Sequence, residues 1–407
     1  MANSFLTITD VSYEFLRLML NNLGAAKRCD HSWSKRFAQE GRKIGYTEYI
    51  RKPVQFVGTT GTALSTEDIV ELDVPVSITT QRGVHLTFTS ADFVLSIDDF
   101  ANRYLKSAAA NLANAVDRDI LLAGALGFAN QVGTPGTIPS GATAYQTYLN
   151  AKAKLAKNGV PQDDEDLTMI VDPDMEVNLV GGNATLFNQQ STIGQQNVRG
   201  SMGKNWGFNF FMDQNTYVRT VGPLGGSPAV NGANQTGGSL ITNGWTAAAA
   251  LRLNQGDKFN IAGVYAVNPM SKQSTLMLQD FTVAANVNSD ASGNATIPIY
   301  PAIVTTGPYQ NVTNSPANAA AITVTGTAGT QTRQGLAWHR EAVALVSVPL
   351  PEPNGVDMVK TVTDPESGIS IRIIRDWWPQ TDSFITRAEC LYGVGLPRPE
   401  WGVVVQS

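Results

Sequence analysis

Residue types able to do chemistry are sparse in this chain and stand far apart. It has three histidines, His31, His85 and His339, and two cysteines, Cys29 and Cys390, in 407 residues. A zinc site draws three or four ligands together, usually from local Cys or His pairs. Cys29 and His31 form the one close pair, and on a basic segment that spacing reads as coincidence. His339 follows Trp338 in an apolar stretch and reads as structural; His85 lies in an alternating stretch where either face is open. No Gly-x-Ser-x-Gly elbow, phosphate loop or dinucleotide fingerprint occurs. The acidic run Asp163-Asp164-Glu165-Asp166 lacks the glycine and the final glutamate of a calcium loop, so it reads as solvated. No spacing pairs two carboxylates for acid–base work. The expectation is a chain that is not an enzyme, with no catalytic residues, metal or cofactor.

The remaining chemistry is that of charge and adhesion. Lys plus Arg number 29 and Asp plus Glu 34, for a net charge of −5. Charged residues make up 15% of the chain, against about 25% in typical domains. With 43% apolar residues, this excludes disorder and suits a protein that buries surface against other chains. The charge is unevenly placed. Residues 23–52 hold eight basic and three acidic side chains. Lys27, Arg28, Lys35 and Arg36 read as an arm that meets an anionic partner, with a solvated linker as the alternative. Arg51 and Lys52 face, along the sequence, Glu67, Asp68, Glu71 and Asp73, and opposite charge on two limbs of one excursion predicts contacts between copies.

Those residues need elements to position them. Residues 10–23 read as a short helix ended by Gly24. Residues 44–57 and 69–89 alternate like strands around Gly58-Thr-Thr-Gly, a long hairpin that has to lean on something else. Residues 96–125 carry the strongest helical pattern, and about 28 residues would reach roughly 40 Å. A helix follows over about 143–157, then a strand over 167–171, then a helix capped by Asp172 with Pro173 at its first position. Residues 221–332 hold six charges in all and alternate short strands with turn clusters, which predicts an all-β, barrel-like module inserted into a host domain. Ile369, Ile371 and Ile373 alternate again near the end, with partner strands over 384–393 and 401–405. The N-terminus shows no secretory pattern, and the longest apolar run, Ile120 to Ala129, is about half of a membrane span.

The order of these parts resembles a known family. Ala101-Asn-Arg-Tyr-Leu-Lys-Ser-Ala-Ala-Ala-Asn-Leu-Ala-Asn-Ala-Val-Asp is similar to its spine helix. Gln255-Gly-Asp-Lys-Phe-Asn-Ile-Ala-Gly-Val resembles the start of an inserted barrel, and Leu336-Ala-Trp-His-Arg-Glu-Ala-Val-Ala-Leu-Val-Ser-Val-Pro-Leu the return to the host domain. Arg387-Ala-Glu-Cys-Leu-Tyr-Gly-Val-Gly-Leu-Pro-Arg-Pro-Glu resembles a C-terminal strand with a Tyr-Gly turn. The family is that of tailed-bacteriophage major capsid (coat) proteins with the Hong Kong 97 fold, of the Salmonella-podovirus type.

The resemblance implies an α+β Hong Kong 97-type capsid fold with an inserted all-β barrel-like domain. It implies an N-arm over 1–43, an extended loop over 44–80 and a peripheral domain with spine helix over 81–130. An axial domain over 131–220 and 334–368, the insertion over 221–333 and a return to the peripheral domain over 369–407 complete it. Copies would form pentamers and hexamers of an icosahedral shell. They would assemble in the bacterial host cytoplasm around a scaffolding protein, with a portal protein at one vertex. The shell would expand and enclose double-stranded DNA without sequence preference, and no membrane would be involved. Arg51, Lys52, Glu67, Asp68, Glu71 and Asp73 would then be inter-subunit contacts, and Lys27, Arg28, Lys35 and Arg36 an interior arm facing scaffold or DNA. The alternatives are an encapsulin-like shell around protein cargo and a carbohydrate-active β-rich surface protein.

Overall fold

A computed structural model describes residues 8–34, 47–57, 68–89, 105–162, 165–183, 203–380 and 382–407. The chain divides into two compact units: residues 1–50, 74–120 and 343–395 form one, and residues 51–73, 121–342 and 396–407 the other.

In the first unit, α1 (Ile8–Asn22) follows the expected pattern, burying Phe15, Leu16 and Met19. The expected long helix is α2, Lys106–Gly127, of which residues 106–120 belong to this unit and 121–127 to the other; residues 96–104 lie outside the described residues. Ala108, Leu112, Val116 and Ile120 recur on its buried side at helical spacing. A five-stranded antiparallel sheet is built around Ser383–Gly395. That strand pairs with Thr80–Thr89, with Ser370–Trp378 and, at its far end, with Ala344–Ser347. Met358–Thr363 pairs with Ser370–Trp378. Ile369, Ile371 and Ile373 are buried, as their alternation predicts, and His85 is exposed. Tyr392 and Gly393 form no turn but lie inside the central strand. The glycine serves close approach instead: a Cβ at position 393 would sit 2.4 Å from the Ser77 carbonyl oxygen.

In the second unit, a seven-stranded mixed sheet runs in the order Asn130–Val132, Gly402–Gln406, Gln331–His339, Leu167–Val171, Phe208–Met212, Lys204–Asn205, with Tyr217–Thr220 also paired to Gln331–Gln334. Helices α3 (Ala142–Lys157) and α4 (Pro173–Asn183) bury Tyr148, Leu155, Met175 and Leu179 in the core with Phe208, Phe210 and Val403. Asp172 caps α4 as predicted: its carboxylate accepts from the Asp174 amide at 3.3 Å and its carbonyl from the Glu176 amide at 3.0 Å. His339 is a core residue, edge-on to Trp401 at 5.1 Å.

The inserted segment is all β. Six strands run in the order Ile322–Val324, Lys258–Val267, Ser274–Val283, Ala295–Ile303, Gly237–Trp245, Gly226–Val230. The sheet nearly closes on itself. Ala229 bridges Ala321, with Val230 donating to the Ala320 carbonyl and Ala319 to the Val230 carbonyl, both at 2.9 Å. Phe259, Ile261, Phe281, Ile297 and Trp245 fill the inside.

Candidate assembly surface

Two charged regions were singled out by sequence, and each rests on local structure. The first is the excursion that departs from a two-stranded pair, Thr47–Arg51 and Asp73–Ser77. Alternation turns Ile50 and Val76 into a core with Val346, Leu350 and Leu391, leaving the polar partners outside. Thr47 and Ser77 share a hydroxyl hydrogen bond of 2.8 Å across the pair. Beyond it, the amide of Lys52 donates to the carbonyl of Leu72 at 2.8 Å, and among the described residues neither limb shows further ladder pairing. Phe56 is 56% exposed, Ile69 68%, and Val70 and Leu72 are also exposed. These four large apolar side chains lie on two neighbouring limbs and stay exposed within the single chain.

Arg51 and Glu71 meet within the chain at 3.1 Å, both well exposed. Asp68 and Asp73 are exposed, and Glu67 lies outside the described residues. Lys52 is placed differently. Its ammonium contacts both carboxylate oxygens of Glu400, at 3.2 and 3.4 Å, and is mostly covered. Glu400 also accepts from the Tyr300 hydroxyl at 3.1 Å. Burial, reinforced by that carboxylate, pushes the Tyr300 pKa well above its usual value, so the phenol stays a donor. Glu400 escaped sequence reasoning because it lies 348 residues from Lys52.

The second region is the basic segment after α1. The amides of Gly24 and Ala26 donate to the Asp117 carboxylate of α2 at 2.6 and 2.8 Å. Asp117 is buried, so this clasp fixes where the segment leaves the helix. Lys27 is exposed. Arg28 turns back to donate to the Gly24 carbonyl, and burial lowers its pKa despite the nearby Asp117. Lys35 and Arg36 lie outside the described residues. The thiol of Cys29 points at the Ala25 carbonyl, 3.4 Å away, and His31 Nε2 lies 2.8 Å from the Ala26 carbonyl. The two side chains thus each reach a different backbone carbonyl. Among the described residues no group of three or more potential ligands could hold a metal ion.

Sequence reasoning also passed over a second exposed surface. Trp377 and Trp378 end the strand Ser370–Trp378, and both are nearly half exposed. Consecutive strand residues face opposite ways, so the hairpin presents an indole on each side. Arg375 lies over the Phe384 ring, 5.2 Å from its centroid, on the Trp377 side.

A family model described as "P22 coat protein - gene protein 5" matches residues 1–406. No match is found among curated proteins. Among solved structures, the chain is similar to one of Mycobacterium phage Che8, with 14% identity over 94% of this chain and 90% of that one and a TM-score of 0.48. It is similar to the capsid of Cyanophage P-SCSP1u, with 12% identity over 89% and 84% and a TM-score of 0.45. It is also similar to the CUS-3 coat protein I-domain, with 29% identity over 24% of this chain and 94% of that one and a TM-score of 0.18.

Proposed function

The chain belongs to the P22 coat protein family, and from that premise we propose how this member builds a shell. It is a bacteriophage major capsid protein, structural and non-enzymatic, whose copies assemble into the icosahedral capsid of the virion. A closed shell needs contacts that relate one copy to the next by rotation, and reaching elements supply them. In our reading the excursion is such an element: Phe56, Ile69, Val70 and Leu72 are covered by a neighbouring copy. Arg51, Lys52, Glu67, Asp68, Glu71 and Asp73 surround that contact. The Arg51–Glu71 pair rims it, and Lys52 anchors its base. Single exposed pairs are worth under ~1 kcal/mol, so lattice repetition gives them weight.

The basic segment with Lys27, Arg28, Lys35 and Arg36 lines the interior, facing a scaffolding protein first and packaged double-stranded DNA later, through sequence-independent, salt-sensitive contacts. Pentamers and hexamers, a portal at one vertex, expansion and assembly in the host cytoplasm belong to the same proposal. So does the division into N-arm, extended loop, peripheral domain, axial domain and insertion at the boundaries given above.

The observation that carries this reading is the family match over nearly the full length. Negative-stain imaging of the purified chain, alone and with a scaffolding protein, tests it. Closed shells or capsomers are expected; a compact monomer under all polymerising conditions would overturn it.

A further inference from the structure

Each limb of the excursion is held by a side chain of the inserted module. On the first limb, the Lys272 ammonium donates to the Gln55 side-chain oxygen at 3.4 Å and also to the Pro308 carbonyl. On the second, the Tyr309 hydroxyl donates to the Val70 carbonyl at 2.8 Å. At the base, Glu400 joins Lys52 to Tyr300 of the module strand Ala295–Ile303. Lys52 in turn ties the first limb to the second through the Leu72 carbonyl. Four polar links therefore converge on limbs whose described residues 52–57 and 68–72 form no strand. Three of their side chains, Lys272, Tyr300 and Tyr309, belong to the module.

The placement has an energetic logic. The limbs expose several apolar side chains, and an unsupported pair of strands is marginal in water. Fixing an extended segment costs conformational entropy at each residue, and a docking element ordered in advance does not lose that freedom on binding. Lys272 is suited to the task, since its ammonium has two oxygen acceptors close by.

We propose that the inserted module is a brace for the excursion, with Glu400, Lys272 and Tyr309 as positioning residues that set the reach of the two limbs before a neighbouring copy arrives. This rests on the assembly role proposed above, because reach matters only if the limbs dock. The brace itself is a property of the single chain and is measured there.

The test is amide hydrogen exchange on the full-length, unassembled chain, followed by shell imaging of the same preparations. The variants are Glu400→Gln, Tyr309→Phe and Lys272→Met, singly and together, plus the reversal Lys52→Glu with Glu400→Lys. The triple variant is expected to exchange about tenfold or more faster at residues 52–57 and 68–72, with the module strand Lys258–Val267 and α2 unchanged. Tyr309→Phe alone, the mildest change, should speed the second limb and leave the melting temperature within a degree or two, about what a small surface effect gives. The reversal should slow the base again relative to Glu400→Lys alone, which a merely structural loss would not do. Closed-shell yield should fall with limb protection. Unchanged limb exchange in the triple variant, no recovery in the reversal, or normal shells despite loosened limbs would each overturn the brace. If the wild-type chain itself never forms shells, the assembly reading fails, while limb exchange still reports on the brace.

Discussion

The inserted module and the excursion place their charged residues in opposite ways. The module has six, and four of them, Arg252, Asp257, Lys258 and Asp280, are buried. Asp257 pairs with the equally buried Arg219 and accepts from the amides of Gly222 and Asn254 at 3.0 and 2.8 Å. Asp280 takes Lys154 of α3, the Gln131 amide at 3.1 Å and Asn260 at 2.9 Å. Lys258 donates to the Phe128 carbonyl just past α2 and to Thr282. Asp257, Lys258 and Asp280 thus tie the module to residues outside it, while Arg252 bonds within it to Ser289 and the Leu224 carbonyl. The excursion keeps Arg51, Asp68, Glu71 and Asp73 in water and leaves its apolar side chains there too. One region is finished within a single chain. The other leaves charged and apolar side chains alike in water within the single chain.

Removing a module charge is expected to give the largest effect on the isolated chain. Asp257→Ala strands a buried guanidinium and should cost about 3–5 kcal/mol in denaturant unfolding. A loss below about 1 kcal/mol would mean that this pair is not an anchor.

A pH series sharpens the same point. Burial, with Arg219 and Lys154 adding repulsion that Asp280 and Asp257 offset only in part, pushes Lys258 down to about 7. In the unfolded chain it returns to the ordinary lysine value of 10.5. Between those values the unfolded state binds the extra proton, so stability rises with pH across that window and is flat below it. A change of order a few kcal/mol is expected from about pH 7 to about pH 10, and Lys258→Met should flatten it. An equal slope in both proteins would locate the titration elsewhere.

The excursion should behave the other way round. Phe56→Ser with Ile69→Ser should leave chain stability within about 0.5 kcal/mol, since neither side chain is buried. The concentration needed for shell assembly should rise about tenfold or more. Unfolding of the isolated chain would break the contrast.

The smallest effect is expected at the ion pair. Arg51→Glu should change chain stability by less than ~1 kcal/mol, and that change should vanish in high salt. Assembly should still suffer, because the reversed charge repeats at every copy. Normal shells would remove Arg51 from the contact.

What could be read in advance follows the range of each interaction. Asp172 capping α4 and the alternation of Ile369, Ile371 and Ile373 are local, and both were legible. The few charges and turn clusters of residues 221–332 announced an all-β module, but not its strands Gly226–Val230 and Gly237–Trp245. Their glycines blunt the pattern, although Val230, Leu240 and Trp245 are core residues. Composition showed that the module has few charges without showing that most point inward. Arg219 lies 38 residues from Asp257, and Phe128 lies 130 residues from Lys258. Lys52 was legible as a charge on the excursion but not as a ligand of Glu400, for the same reason of distance. Tyr392-Gly393 misled as a turn, because a glycine that admits a neighbouring backbone looks in sequence like one that bends its own.

The seam at Ala229 and Ala321 has a consequence for life in a crowd. A strand with open backbone groups invites any similar strand to zip onto it. By drawing Val230 into bonds with Ala319 and Ala320, the barrel hides that invitation. Opening the seam should therefore show itself first as clumping, before any loss of the fold.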